Sequence, residues 1–146
     1  MLQEPGRILA VDPGEKRVGL ALSDPTQTIA SPLMVLPSQS VKKDALRILQ
    51  TAQEKDAVLI VVGQPLHWDG TESDQVKGSK RLAELLEELG SLPVILVDEY
   101  GTTQAAREAR LQMNVSREKR SGHLDDLAAT ILLQNYLTTL GPGAEE

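Results

Sequence analysis

Cysteine is absent from this chain of 146 residues. That removes disulfides, thiolate catalysis and cysteine-ligated metal sites together. Histidine is scarce, with only His67 and His123, so a His-rich zinc site is not expected. Catalysis or metal binding must then rest mainly on carboxylates, which suit hard cations such as Mg²⁺ and Mn²⁺. No run of about 18 apolar residues occurs, and no basic-then-apolar leader, so neither membrane nor secretion is expected. A cytoplasmic protein is the natural reading. The length suits one domain, expected over residues 1–140, with 141–146 as a flexible tail.

A formal net charge of −6 argues against simple electrostatic binding of nucleic acid. Distribution matters more than the total. Arg107, Arg110, Arg117, Lys119 and Arg120 crowd one stretch against Glu108 and Glu118. Lys16 and Arg17 sit together, as do Lys77, Lys80 and Arg81, while Glu84, Glu87, Glu88, Glu145 and Glu146 lie elsewhere. Any one basic group taken alone also reads as a solvated face.

The most informative stretch runs from Arg7 to Asp24. Ile8 to Val11 reads as a strand buried on both faces, ended by Asp12 and the Pro13-Gly14 turn. Val18 to Leu22 reads as the return strand. Asp12 has two readings at this point: an Asx-turn capping the hairpin, or a metal or phosphate site. The second requires other acids to converge on it.

A third strand follows over Ile29 to Leu36, placed at a sheet edge because Pro32 cannot donate to a ladder. Ser38 or Ser40 caps a helix running to about Lys55. Ala57 to Val62 reads as a central parallel strand. A long loop from Gly63 to Glu72 carries the only tryptophan, Trp68. A helix is expected over Ser73 to Leu89, stopped by Gly90, then a fifth strand over Pro93 to Val97, ending in Asp98-Glu99. A short helix from Thr102 or Thr103 to about Met113 and a last helix over Gly122 to Leu140 complete the chain. No internal repeat is visible. The order describes a mixed five-stranded sheet whose later strands enter by right-handed helical crossovers. Ligand sites in such sheets lie beyond the carboxyl ends of the strands, where Asp12 and Glu99 fall.

On the last helix, steps of about 100° put Asp126, Thr130, Gln134 and Thr138 on one polar stripe. Asp125 falls in the apolar arc of Leu124, Ala128, Ala129, Leu132 and Tyr136. A carboxylate aimed into apolar surroundings is costly unless paired or metal-bound, so Asp125 is preferred to Asp126 as a ligand. Three acids gathered at one point repel and invite a cation. One or two divalent ions there could activate water for phosphoryl displacement, with the basic residues holding the polyanion.

Four motifs carry a resemblance: V-D-P-G-E-K-R-V-G at 11–19, G-Q-P-L-H-W-D-G-T-E at 63–72, V-D-E-Y-G-T-T at 97–103 and H-L-D-D-L-A-A at 123–129. In this order they resemble the YqgF/RuvX family, described as Holliday junction resolvases and as pre-16S rRNA nucleases. The resemblance implies an RNase H-like α/β fold with strand order 3-2-1-4-5 and the second strand antiparallel. It also implies catalytic Asp12, Glu99 and Asp125, binding Mg²⁺ or Mn²⁺ with Asp126 as the fallback ligand. Nuclease action on rRNA precursor or branched DNA follows, by a monomer or homodimer. The loop with Gly63, Pro65, Asp69 and Gly70 looks like a substrate-side lid, although turn glycines and packing of Trp68 account for it equally. The family usually has Arg after the Glu; Tyr100 stands there, which bears on substrate affinity and preference. Two other classes remain open on sequence grounds. One is a nucleotide phosphohydrolase, for which the chain lacks a second domain; the other is a non-catalytic nucleic-acid- or ribosome-binding factor.

Overall fold

Alternation of side chains builds the centre of the molecule. In the computed structural model, residues 5–14, 16–64, 74–98 and 124–140 are described, less the side chains of 74–77, 98 and 124–126. Strands β1 (Arg7–Pro13) and β2 (Arg17–Ser23) form the expected antiparallel hairpin, with Ala10 opposite Ala21 and Asp12 opposite Gly19. Ile8, Leu9, Ala10 and Val11 are all fully buried, as a strand covered on both faces requires. β3 (Ala30–Pro37) lies at the edge against β2, and the ladder between them shifts register between Leu20 and Ala21, beside Pro32. β4 (Ala57–Gln64) runs parallel to β1, and β5 (Val94–Asp98) runs parallel to β4. The sheet order is β3-β2-β1-β4-β5, as expected.

The two faces have different covers. Leu9, Val11, Val18, Leu20, Ile60 and Val62 pack with helices α1 (Val41–Glu54) and α2 (Asp74–Leu89) through Ala45, Ile48, Leu82 and Leu86. Ile8, Ala10, Ala21 and Val61 pack with helix α3 (Leu124–Thr139) through Ala129, Leu133 and Leu137. The choice between two capping serines is resolved: Ser40 Oγ accepts from the Lys43 amide at 3.1 Å. Such a cap contributes about 1 kcal/mol. Ser38 has another role, donating its hydroxyl to the buried Asp44 carboxylate at 2.7 Å, which also accepts from the Gln39 amide at 3.0 Å.

Two strand ends depart from the sequence expectation. Asp12 does not end β1; the ladder to β2 carries the strand through Pro13, opposite Val18. Gly63 does not open the loop; it is a buried residue of β4, held opposite Val97, with Gln64 opposite Asp98. The hairpin partner extends β1, and a partner remote in sequence extends β4. The rest of the expected loop, including Pro65, Asp69 and Gly70, lies outside the described residues, as do the short helix from 102 to 113 and the tail 141–146. Among the described residues no helix is long and apolar enough to cross a membrane.

Asp24 organises the turn from β2 to β3. Its carboxylate accepts from the amides of Ile29 (2.8 Å), Thr28 (2.7 Å) and Thr26 (3.3 Å), and from the Thr26 hydroxyl. These donors, the Ile29 amide foremost, hold its pKa well below the ordinary carboxylate range. A depressed folded-state pKa adds stability that is complete above the unfolded value near 3.9 and is lost as pH falls through the folded value. Asp24→Ala is therefore expected to melt below the wild type at pH 7, with the gap narrowing as pH drops below about 4. Thermal melts across that range check this, and a gap independent of pH would refute it.

Candidate active site

Asp12 sits on the central strand, in the last but one position of β1. Strand alternation puts it on the same face as Ile8 and Ala10, the face that α3 covers. Its cross-strand partner on β2 is Gly19, which has no side chain, and on β4 the partner of Val11 is followed by Gly63. The strand positions beside Asp12 on this face are thus glycines, so the two neighbouring strands place no side chain against it.

The Asx-turn reading of Asp12 is not needed. The Gly14 amide, which such a turn would use, donates to the Arg17 carbonyl at 2.9 Å, so the main chain closes the hairpin. Gly14 itself is required by close approach: a Cβ there would lie 2.7 Å from that carbonyl oxygen. The tip carries Lys16 and Arg17, both exposed, beyond the same end of β1 as Asp12.

Helix α3 brings residue 125 toward this end. The Gln134 side chain clamps the helix to the start of β3, donating to the Thr28 carbonyl at 3.1 Å and accepting from the Ala30 amide at 3.0 Å. Ala30 pairs with Ser23, whose hydroxyl accepts from the Ile8 amide at 2.8 Å, so Gln134 stands level with the start of β1. Ala129 and Leu133 precede Gln134 and lie in the core against the sheet, so the helix runs back over β2 and β1 toward the end that holds Asp12. Nine residues of helix from 134 to 125 span about 13.5 Å. The four strand steps from Ile8 to Asp12 span about 13 Å. The helix is thus long enough for position 125 to reach that end of the sheet. Position 125 also continues the stripe of Ala129, Leu133 and Leu137 that packs on the sheet, at spacings of one turn. The approach is close because the facing residues are small: Ala10, Ala21 and Ala129 are fully buried together.

The polar stripe expected at 126, 130, 134 and 138 is only partly wet. Thr138 is exposed, but Gln134 is the clamp to β3. Periodicity could mark Gln134 as off the apolar arc; it could not supply the β3 amide that it meets. The remaining expected site residues are Glu99, Arg107, Arg110, Arg117, Lys119 and Arg120, and they lie outside the described residues. Glu99 directly follows Asp98, the last residue of β5, whose Ile95 and Val97 face α3. Among the described residues no three metal-ligating side chains converge, and of the three expected acids only Asp12 has a described side chain.

Comparison with known proteins fits this arrangement. The family model described as RuvX, Holliday junction resolvase, matches residues 6–139. A candidate pre-16S rRNA nuclease of Roseiflexus sp. (strain RS-1) is 36% identical over 137 residues, 94% of this chain and 97% of that one. Its counterpart in Thermoanaerobacter pseudethanolicus is 41% identical over 132 residues, 90% of this chain and 95% of that one. Among solved structures, RuvC of T. thermophilus in complex with a Holliday junction substrate superposes with a TM-score of 0.61 at 16% identity, covering 93% of this chain and 96% of that one. The Fowlpox virus resolvase, solved with substrate Holliday junction DNA, gives 0.57 at 15% identity, covering 92% and 98%. At such identities the likeness establishes the fold, which is RNase H-like. The match along nearly the whole length, with relatives of this similarity, places the chain in the RuvX family.

Proposed function

We propose that this chain is a divalent-metal-dependent nuclease that hydrolyses phosphodiester bonds of structured nucleic acid. The observation that carries this reading is the place of Asp12 near the carboxyl end of the central strand, between the glycine positions 19 and 63 and on the face that α3 covers. In the proposed site Asp12, Glu99 and Asp125 hold Mg²⁺ or Mn²⁺, with Asp126 the substitute if the helix is rotated. Carboxylates alone, in a chain without cysteine, are the donor set of a hard cation. Such an ion, when bound, activates water and neutralises charge on the displaced phosphate oxygen. The chain's own task is positional: β1 and α3 hold their acids rigidly, and the cations at the hairpin tip meet the phosphates.

Lys16 and Arg17 supply that contact, joined by Arg107, Arg110, Arg117, Lys119 and Arg120. The loop with Pro65, Asp69 and Gly70 follows β4 directly and covers the substrate side. The names of the relatives support precursor 16S rRNA as substrate, and the solved resolvase complexes support branched DNA. Action in the cytoplasm agrees with the cysteine-free composition. A monomer suffices for one cut, and a homodimer would match a symmetric junction.

The test is a cleavage panel of single-stranded RNA, precursor rRNA and four-way DNA junctions, each with Mg²⁺, Mn²⁺ or EDTA. Cleavage of a structured substrate with either metal and none in EDTA is expected. Tight binding without a cut under every condition would replace this reading with that of a non-catalytic nucleic-acid- or ribosome-binding factor.

A further inference from the structure

A second basic surface adjoins the hairpin tip, built by a segment that the sequence motifs do not touch. Arg17 of β2 pairs with Pro37 at the end of β3. The Ser38 amide donates to the Lys16 carbonyl at 2.9 Å, tying the chain after β3 to the tip. Helix α1 begins directly afterwards, with Lys42 and Lys43 in its first turn, both exposed. One turn on, the Arg47 guanidinium folds back and donates to the Pro37 carbonyl at 3.0 Å. Lys16, Arg17, Lys42, Lys43 and Arg47 thus form one ridge. The nearby acid, Asp44, is buried with both carboxylate oxygens engaged by Ser38 and Gln39. Arg81, by contrast, on a different helix, pairs with Glu84 and Glu88.

Local stability does not call for this charge. The start of a helix is the positive end of its dipole and favours acids; two lysines there oppose it. Five basic side chains gathered in this way also stand out on a chain of net charge −6. Residues that break a local rule without a compensating contact point to a binding role. The ridge starts at the end of the sheet that holds Asp12, and α1 carries it around to the face opposite the one that α3 covers.

We propose that Lys42 and Lys43, continuing from Lys16 and Arg17, form a track for the sugar-phosphate backbone of a substrate arm flanking the cut. The inference rests on the nuclease reading above, yet it can fail separately. The probe is Lys42→Glu/Lys43→Glu in the full chain. Acids at these positions suit the helix start, so the melting temperature should hold or rise. Binding is followed by fluorescence anisotropy in EDTA, against a labelled 20-base-pair RNA duplex and a labelled four-way DNA junction, over a salt series. Affinity should fall about tenfold or more at low salt, and the slope of log Kd against log salt should become shallower by about two. Lys55→Glu, at the far end of α1, should leave that slope unchanged. An effect confined to one probe would support the track and identify the nucleic acid it follows. Unchanged affinity and slope on both probes, in a preparation that still cleaves, would overturn the track and leave the nuclease reading intact. Loss of binding by the double variant in a protein that cleaves nothing would do the reverse.

Discussion

Asp12→Asn is expected to abolish metal-dependent cleavage while leaving the fold intact. The amide has the shape of the carboxylate and keeps its place opposite Gly19 on the face covered by α3. It loses the charge, and a hard cation binds poorly without it. The expected fall in single-turnover rate is about a thousandfold or more, or ~4 kcal/mol of transition-state stabilisation at 1.36 kcal/mol per factor of ten. The melting temperature without metal should stay close to that of the wild type, because the substitution keeps the side chain's size and leaves the strand pairing of β1 untouched. Paired measurements of rate and melting check both halves. A variant that cuts at the wild-type rate would remove Asp12 from the chemistry.

Asp125→Asn and Asp126→Asn should separate sharply. Position 125 lies one turn before Ala129, on the stripe that Leu133 and Leu137 continue into the core. Position 126 lies on the adjacent stripe, which leads through Gln134 to the exposed Thr138. The first stripe packs into the core between α3 and the sheet through Ala129, Leu133 and Leu137, whereas the second meets only the edge strand β3, through Gln134. Asp125→Asn is therefore expected to cost about a hundredfold or more in rate, on the order of 3 kcal/mol, and Asp126→Asn less than about threefold. Cleavage assays on both variants with Mn²⁺ decide it. The opposite ranking would show that α3 presents its other acid to the site.

Much of this was legible in the residues themselves. The apolar runs at Ile8 to Val11 and Ala57 to Val62 announce strands buried on both faces; the sheet bears this out for Ile8 to Val11 and for Ile60 to Val62, while Val58 is exposed. Pro32 marks β3 as an edge because its missing N–H is a local property. The rest depends on pairing that residue types do not display. Asp12 reads as a strand terminus until the hairpin ladder sets Val18 opposite Pro13. Gly63 reads as a loop residue until β5, distant in the chain, supplies Val97. Gln134 reads as a solvated helix residue until β3 offers the Ala30 amide. In each case the local pattern is sound, and a contact outside it changes its meaning.

Anomalous scattering from a crystal grown with Mn²⁺ tests the shared-ion geometry directly. The expected signal is an ion bonded to an Asp12 carboxylate oxygen and bridged to Glu99 and Asp125. An ion bound elsewhere, with Asp12 outside its coordination sphere, would contradict the account.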